Sequence, residues 1–168
     1  SNQNKLYLFF HRVLDIIFSI VGLIFGLILF PIILIGNLIG NRGPFFYTQY
    51  RIGRNGNPFK IYKLRSMIVN AEKDGAEYAS KKDPRVTKFG RFLRRSRLDE
   101  IPQFINVIKG DMSVIGPRPE RPVFVAELAK KIPFYEVRHI IKPGVTGWAQ
   151  VNANYGSSHD YALEKLQY

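Results

Sequence analysis

The chain contains no cysteine, which excludes a disulfide scaffold, a thiolate-ligated zinc site and a thiol nucleophile. This absence does not identify a compartment, because cytosolic and secreted chains alike can lack the residue. Histidine is nearly as scarce: His11, His139 and His159 are too scattered to advertise a metal cluster. Acidic residues are few, 13 against 25 Lys and Arg, giving a net charge of +12 over 168 residues. That length is one domain's worth of protein. An apolar content of 46% is ordinary for a packed core and excludes a largely disordered polyelectrolyte.

A second absence is local. The 26 residues from Ile16 to Asn41 carry no charged side chain. The chain is therefore a basic body attached to one apolar segment, which implies a membrane partner. A signal peptide fits poorly, since the apolar core is too long and no small-x-small cleavage site follows. About 20 apolar residues suffice for a simple transmembrane helix, but two features count against one. Pro31 removes a helical hydrogen bond and clashes with the Leu27 carbonyl, leaving flanks of 15 and 10 residues. Lys5 and Arg12 before the segment, and Arg42, Arg51 and Arg54 after it, make both ends prefer the cytoplasmic side. A helix that enters one leaflet, bends at Pro31 and returns satisfies both observations; on the residues alone a kinked span stays open beside it. Asp15, at the apolar edge, is expected to cap the first turn or pair with Arg12.

In the body, aromatic-rich runs at residues 45–50 and 59–64 flank Gly53-Arg54-Asn55-Gly56-Asn57 and predict a β-hairpin with a type I′ turn at Asn55-Gly56. No G-K-[ST] follows these glycines, so they are not a nucleotide phosphate loop. Composition predicts helices over Met67–Ser80, Val86–Arg95, Glu100–Ile108 (stopped by Lys109-Gly110), Pro122–Lys131 and Phe134–Ile141, with a short strand over Met112–Ile115. Ala162–Tyr168 opens a helix with no stop signal, so a C-terminal remainder is expected.

Eight cations lie between Lys81 and Arg97 against the single acid Asp83. They suit an anionic lipid surface, a nucleic acid or a phosphate-bearing substrate; the apolar segment favours lipid. Asp99-Glu100 follows directly. Placed at a helix start, with Asp99 near the N-cap and Pro102 in the first turn, both carboxylates can face one ligand. The bland alternative is Ser96-x-x-Asp99 as a capping box. Beside so many arginines Asp99 is expected to stay ionised, fit to serve as nucleophile or as an oxygen ligand for Mg²⁺. In Gly116-Pro117-Arg118-Pro119 the two prolines fix the backbone and present one cation with little conformational freedom.

Taken in order, these stretches resemble the bacterial sugar transferase family, the monotopic polyprenyl-phosphate phosphoglycosyl transferases, and most closely its exopolysaccharide branch. The resemblance runs from about residue 8 to 168. Its motifs are Gly43-Pro44-Phe45-Phe46-Tyr47-Thr48-Gln49, Lys63-Leu64-Arg65-Ser66-Met67, Leu98-Asp99-Glu100-Ile101-Pro102-Gln103, Gly116-Pro117-Arg118-Pro119 and the stretch from Lys142 to Val151. It implies transfer of a sugar-1-phosphate from a UDP-sugar, such as UDP-glucose or UDP-galactose, to undecaprenyl phosphate with Mg²⁺. This is the first membrane step of exopolysaccharide, O-antigen or capsule assembly. Asp99 matches the nucleophile of a covalent phosphosugar intermediate that releases UMP, and Glu100 its partner in metal and phosphate handling. Lys63, Arg65, Arg94, Arg118 and Gln150 match positions around the substrate phosphates.

The fold so implied is α+β. A re-entrant membrane helix bent at Pro31 (residues 1–42) precedes a mainly helical domain with a β-hairpin (residues 43–168). The expected location is the cytoplasmic face of the bacterial inner membrane, against anionic lipid and without nucleic acid; homo-oligomers are compatible with it. Phe30 stands where the family often has Ser. A membrane-attached nucleic-acid binder and a non-catalytic structural anchor are the rival classes.

Overall fold

The computed structural model describes residues 2–73, 75–78, 80 and 83–152; the helix expected from Ala162 lies outside them. The structure mixes helices with two small sheets, as the sequence implies. One helix, α1 (Asn2–Gly40), carries Pro31 inside it and is long and apolar enough to cross a membrane by length and composition. Contacts brace it on either side of the proline: Phe30 packs edge-on against Phe45 at 5.4 Å, and Ile33 enters a buried cluster with Leu64 and Leu93.

Docking of α1 uses a narrow seam. Asp15, Ser19, Gly22, Gly26, Leu29, Ile33 and Asn37 recur every three or four residues and so share one helical face. Side chains larger than hydrogen at Gly22 and Gly26 would strike Phe104 and Ile101, and at Gly36 would strike Phe89. At the N-terminal end Arg12 does not pair with Asp15. Its guanidinium donates to the carbonyls of Val107 (2.6 Å) and Ile108 (2.7 Å). Asp15 Oδ1 instead accepts from Ser113 Oγ (3.0 Å) and the Val114 N–H (2.8 Å). At the other end Asn41 Nδ2 donates to the Arg65 carbonyl (2.5 Å). Outside the seam, large side chains such as Leu27, Ile28, Ile32 and Ile39 are exposed.

The hairpin forms as expected: β1 (Phe46–Ile52) pairs antiparallel with β2 (Pro58–Leu64), Tyr47 opposite Lys63. Asn55 (φ 57°) and Gly56 (φ 77°) both take the left-handed conformation that a type I′ turn demands. On β2 the period of two puts Phe59, Ile61 and Lys63 on one face. α2 (Lys88–Arg95) starts at the Thr87 cap, whose hydroxyl accepts from the Gly90 N–H. α3 (Gln103–Lys109) ends at Gly110 (φ 92°), the predicted stop. β3 (Ser113–Ile115) pairs parallel with β4 (Gly144–Thr146), and the crossover between them contains α4 (Pro122–Lys131). The last described element is α5 (Trp148–Asn152).

Two expectations fail, and the capping-box alternative fails with them. Met67–Ser80 is not a helix among the described residues: turns replace it, with Asn70 at φ 63° and Met67 bridged to Val86. Tertiary ion pairing overrides the helical composition there, since Glu72 is drawn onto Arg121 (2.9 and 3.1 Å) and toward Gln49. Phe134–Ile141 forms only a 3₁₀ turn over Tyr135–His139, entered by Phe134 at φ 59°. Ser96 caps the end of α2 by donating to the Phe92 and Leu93 carbonyls, so no capping box to Asp99 exists.

Gly90 is required by close approach, because a Cβ there would overlap the Ser66 carbonyl oxygen. In an open helix Gly→Ala stabilises by nearly 1 kcal/mol; at Gly90 the sign reverses. Gly90→Ala should destabilise by about 1–3 kcal/mol, read as a lower thermal midpoint of the detergent-solubilised chain. Arg95→Ala, on the exposed face of the same helix, should leave that midpoint nearly unchanged.

Candidate active site

Asp99 and Glu100 occupy a 3₁₀ turn, Leu98–Glu100, between α2 and α3. Arg97 precedes it at φ 59° and Pro102 caps α3, so Asp99 lies one turn before the helix rather than at its N-cap. Both carboxylates are buried, each residue 7% exposed. Three residues per turn separate successive side chains by about 120°, so the two acids need not meet the same neighbours.

They do not. Glu100 Oε1 accepts from Lys63 Nζ at 3.1 Å and faces both terminal nitrogens of Arg118 at 3.4 Å, while Oε2 lies 3.8 Å from exposed Arg97. Asp99 Oδ1 is buried without a hydrogen-bond partner in the protein. These surroundings separate the two pKa values. Burial alone would raise Glu100, but Lys63 and Arg118 hold it down at about 2. For Asp99 burial prevails, reinforced by Glu100, and moves it upward against Lys63, Arg94 and Arg118. The arginines do pull Asp99 downward, but desolvation outweighs them. Lys63 is pushed down to about 8 by burial and by Arg118, despite its carboxylate neighbours.

Each cation is held by a separate device. The β2 pleat aims Lys63. Arg94 Nε donates to Ser66 Oγ at 2.8 Å. The Pro-flanked loop of Arg118 is fixed through its carbonyls, those of Pro117, Arg118, Pro119 and Glu120 accepting from Gly144 N, Arg138 Nη2, Arg51 Nη1 and Ile52 N. Arg118 Nη1 also donates to Gln150 Oε1 (3.1 Å), whose Nε2 is buried without a partner. Lys63, Glu100, Arg118 and Gln150 thus form one contiguous set, with Asp99 and Arg94 beside it.

Arg65 stands apart. Its guanidinium holds the carbonyls of Asn41, Pro44 (2.6 Å) and Met67 (2.7 Å) and the Asn41 side chain (3.3 Å). Four of its five N–H donors are thereby committed, which makes it a clamp on the α1–β1 connection. Sequence reasoning assigned no site role to Ser66, Arg138 or Arg51, the last counted only among the cations flanking the apolar segment. Only Ser66 carried a signal, its place in the Lys63–Met67 motif.

Mg²⁺ typically takes one or two carboxylates and completes its shell with substrate phosphates. The unpaired Asp99 Oδ1 and the less engaged Glu100 Oε2 fit that donor set. Among the described residues no group of three or more His, Asp and Glu side chains gathers.

Residues 6–168 match the family model described as "Bacterial sugar transferase". The chain is 51% identical over 138 residues to the "Putative undecaprenyl-phosphate N-acetylgalactosaminyl 1-phosphate transferase" of Bacillus subtilis, covering 82% of this chain and 77% of that protein. It is 43% identical over 167 residues to a UDP-N-acetylgalactosamine-undecaprenyl-phosphate N-acetylgalactosaminephosphotransferase of Aeromonas hydrophila (98% and 39% of the two chains). Over 170 residues it is 41% identical to a UDP-glucose:undecaprenyl-phosphate glucose-1-phosphate transferase of Klebsiella pneumoniae (99% and 36%). The chain therefore spans less than half the length of the second and third relatives.

The folded pKa of Glu100 lies below its ordinary 4.5. Its stabilisation is therefore present above pH 4.5 and lost as pH falls toward 2. The shift corresponds to about 3 kcal/mol at neutral pH. Glu100→Gln should be less stable than wild type at pH 7, and the gap between their thermal midpoints should narrow from pH 5 to pH 3.

Proposed function

Because the chain belongs to the bacterial sugar transferase family, we propose that it transfers a sugar-1-phosphate from a UDP-sugar to undecaprenyl phosphate through a covalent phosphosugar on Asp99. The observation that carries this reading is the unequal treatment of two adjacent acids. Glu100 is neutralised by Lys63 and Arg118, whereas Asp99 keeps a buried oxygen with no partner. A desolvated carboxylate oxygen with spare lone pairs is a nucleophile; one committed to two cations is a fixture.

In the first step an Asp99 oxygen attacks the sugar-bearing phosphorus of the UDP-sugar. The bond from that phosphorus to the bridging oxygen breaks, and UMP leaves with the electron pair. In the second, a phosphate oxygen of undecaprenyl phosphate attacks the same phosphorus and Asp99 departs as carboxylate. Arg94 and Arg118 lie close enough to Asp99 to act on its charge, and they offset the charge of the phosphoryl group during both transfers. Asp99 and Glu100 would hold Mg²⁺ together with the substrate phosphates, and the ion would supply further charge neutralisation there.

The docking of α1 supports a monotopic placement. The body grips the helix at Arg12 and Asp15 and again at Asn41, with Gly22, Gly26 and Gly36 seated on it between. A helix crossing the bilayer along this length would draw the body, with its charges, into hydrocarbon. A re-entrant helix keeps the body at one surface, and the exposed Lys88, Arg91 and Arg95 of α2 suit anionic headgroups. On the positive-inside rule that surface is the cytoplasmic one.

Asp99→Asn should abolish UMP release from UDP-sugars while the protein still folds and partitions into membranes. Wild type incubated with UDP-sugar and Mg²⁺ but no acceptor should gain the mass of one sugar phosphate. The panel is UDP-glucose, UDP-galactose and UDP-N-acetylgalactosamine, the last because two relatives are named for that sugar. UMP released by the Asn variant at the wild-type rate would rule Asp99 out as nucleophile.

A further inference from the structure

The cleft between β2 and the Pro117–Pro119 loop contains a group that neither the mechanism nor the packing uses. Arg51, Lys63, Gln103, Arg118 and Pro119 line it. Gln103 opens α3 four residues after Asp99, and the residue is only 3% exposed. Among the described residues its carboxamide has no hydrogen-bond partner. Neither of its polar atoms is fully enclosed, so the amide is open to whatever fills the cleft.

Its neighbours explain why it goes unpaired. Arg51, Lys63 and Arg118 offer only donors, so the amide N–H groups have no acceptor there. Arg51 Nε is also buried without a partner. Of the two acids ahead of α3, Glu100 spends Oε1 on Lys63 and Arg118, and Asp99 Oδ1 receives no hydrogen bond from Gln103 or any other described group. An acceptor for the amide therefore comes from what enters the cleft, and the surrounding charge favours an anion with several lone pairs.

We propose that Gln103 contacts the substrate, its carboxamide donating a hydrogen bond to a diphosphate oxygen of the UDP-sugar held between Lys63 and Arg118. This rests on the transferase reading and deepens it. A neutral donor suits this position: it adds a contact to the diphosphate and leaves the charges of Lys63 and Arg118 to balance Glu100.

The test compares wild type, Gln103→Leu and Gln103→Glu, each as the full chain in detergent. The readouts are the thermal midpoint with and without UDP-sugar (no acceptor present) and the kinetics of UMP release. Gln103→Leu should raise KM and lower kcat/KM about 10- to 100-fold. Gln103→Glu should keep or raise the midpoint of the free protein, because its carboxylate meets three cations. It should nevertheless lose the shift produced by UDP-sugar, and lose more than 100-fold in kcat/KM. A residue that only packs α3 leaves Gln103→Leu with the wild-type KM and the wild-type UDP-sugar shift, whatever the added charge does in the Glu variant. That result overturns the inference alone. A wild type that neither releases UMP nor shifts with any UDP-sugar overturns the transferase reading and the inference together.

Discussion

The carboxamide of Asn106 sets the distance on which the site depends. Asn106 is fully buried; its Oδ1 accepts from the Tyr62 N–H (3.1 Å) and its Nδ2 donates to the Lys60 carbonyl (2.7 Å). One side chain from α3 thus continues the hydrogen bonding of β2 as another strand would. Its own carbonyl receives the N–H groups of Gly110, Asp111 and Met112 and so turns the chain toward β3. Between those contacts Ile61, Val107 and Met112 close into a core. With α3 fixed against β2, the turn just ahead of α3 brings Glu100 onto Lys63. Without that anchor two short, highly charged elements would have little reason to stay together.

The same economy of contact governs the membrane helix. A residue that buries only one narrow face of α1 leaves the rest to face apolar surroundings, and the exposed leucines, isoleucines and phenylalanines of that helix require them. Small residues along the seam allow close approach where lipid offers no hydrophobic drive for association. The polar ends of the seam, Asp15 on β3 and Asn41 on the Arg65 clamp, fix its register. The body and the helix therefore share a core, through Ile33 with Leu64 and Leu93, rather than meeting across a linker.

Features that rest on local chemistry were legible in the sequence. Asn55-Gly56 announced its turn, Gly110 its helix stop, and Pro117 and Pro119 a loop that presents Arg118. Features set by distant partners were not. The residues from Met67 to Ser80 have helical composition, but Glu72 meets Arg121 from 49 positions away, and no local preference encodes that. Arg65 and Lys63 are two residues apart in one basic motif, yet one clamps the chain after α1 and the other faces Glu100. Charge counting gives only part of the balance at Asp99: the arginines pull downward, but the burial that outweighs them is a property of the assembled fold.

That burial leads to the chemistry. Two carboxylates joined by one peptide bond would behave alike in an extended chain, and in one dielectric their repulsion would leave them nearly equivalent. The 3₁₀ turn sends one toward Lys63 and Arg118 and leaves the other desolvated, pushing their pKa values in opposite directions. Acids so divided take separate roles. On the proposed reading, Glu100 balances cations that the substrate's phosphates would otherwise find unopposed, and so tempers their grip. Asp99 retains an oxygen whose lone pairs no protein group claims, in a place where water cannot freely solvate it. Removing Glu100 would then not create a second nucleophile; it would release Lys63 and Arg118 to draw on Asp99 itself. The proposed nucleophile thus depends on the neighbour that holds those cations.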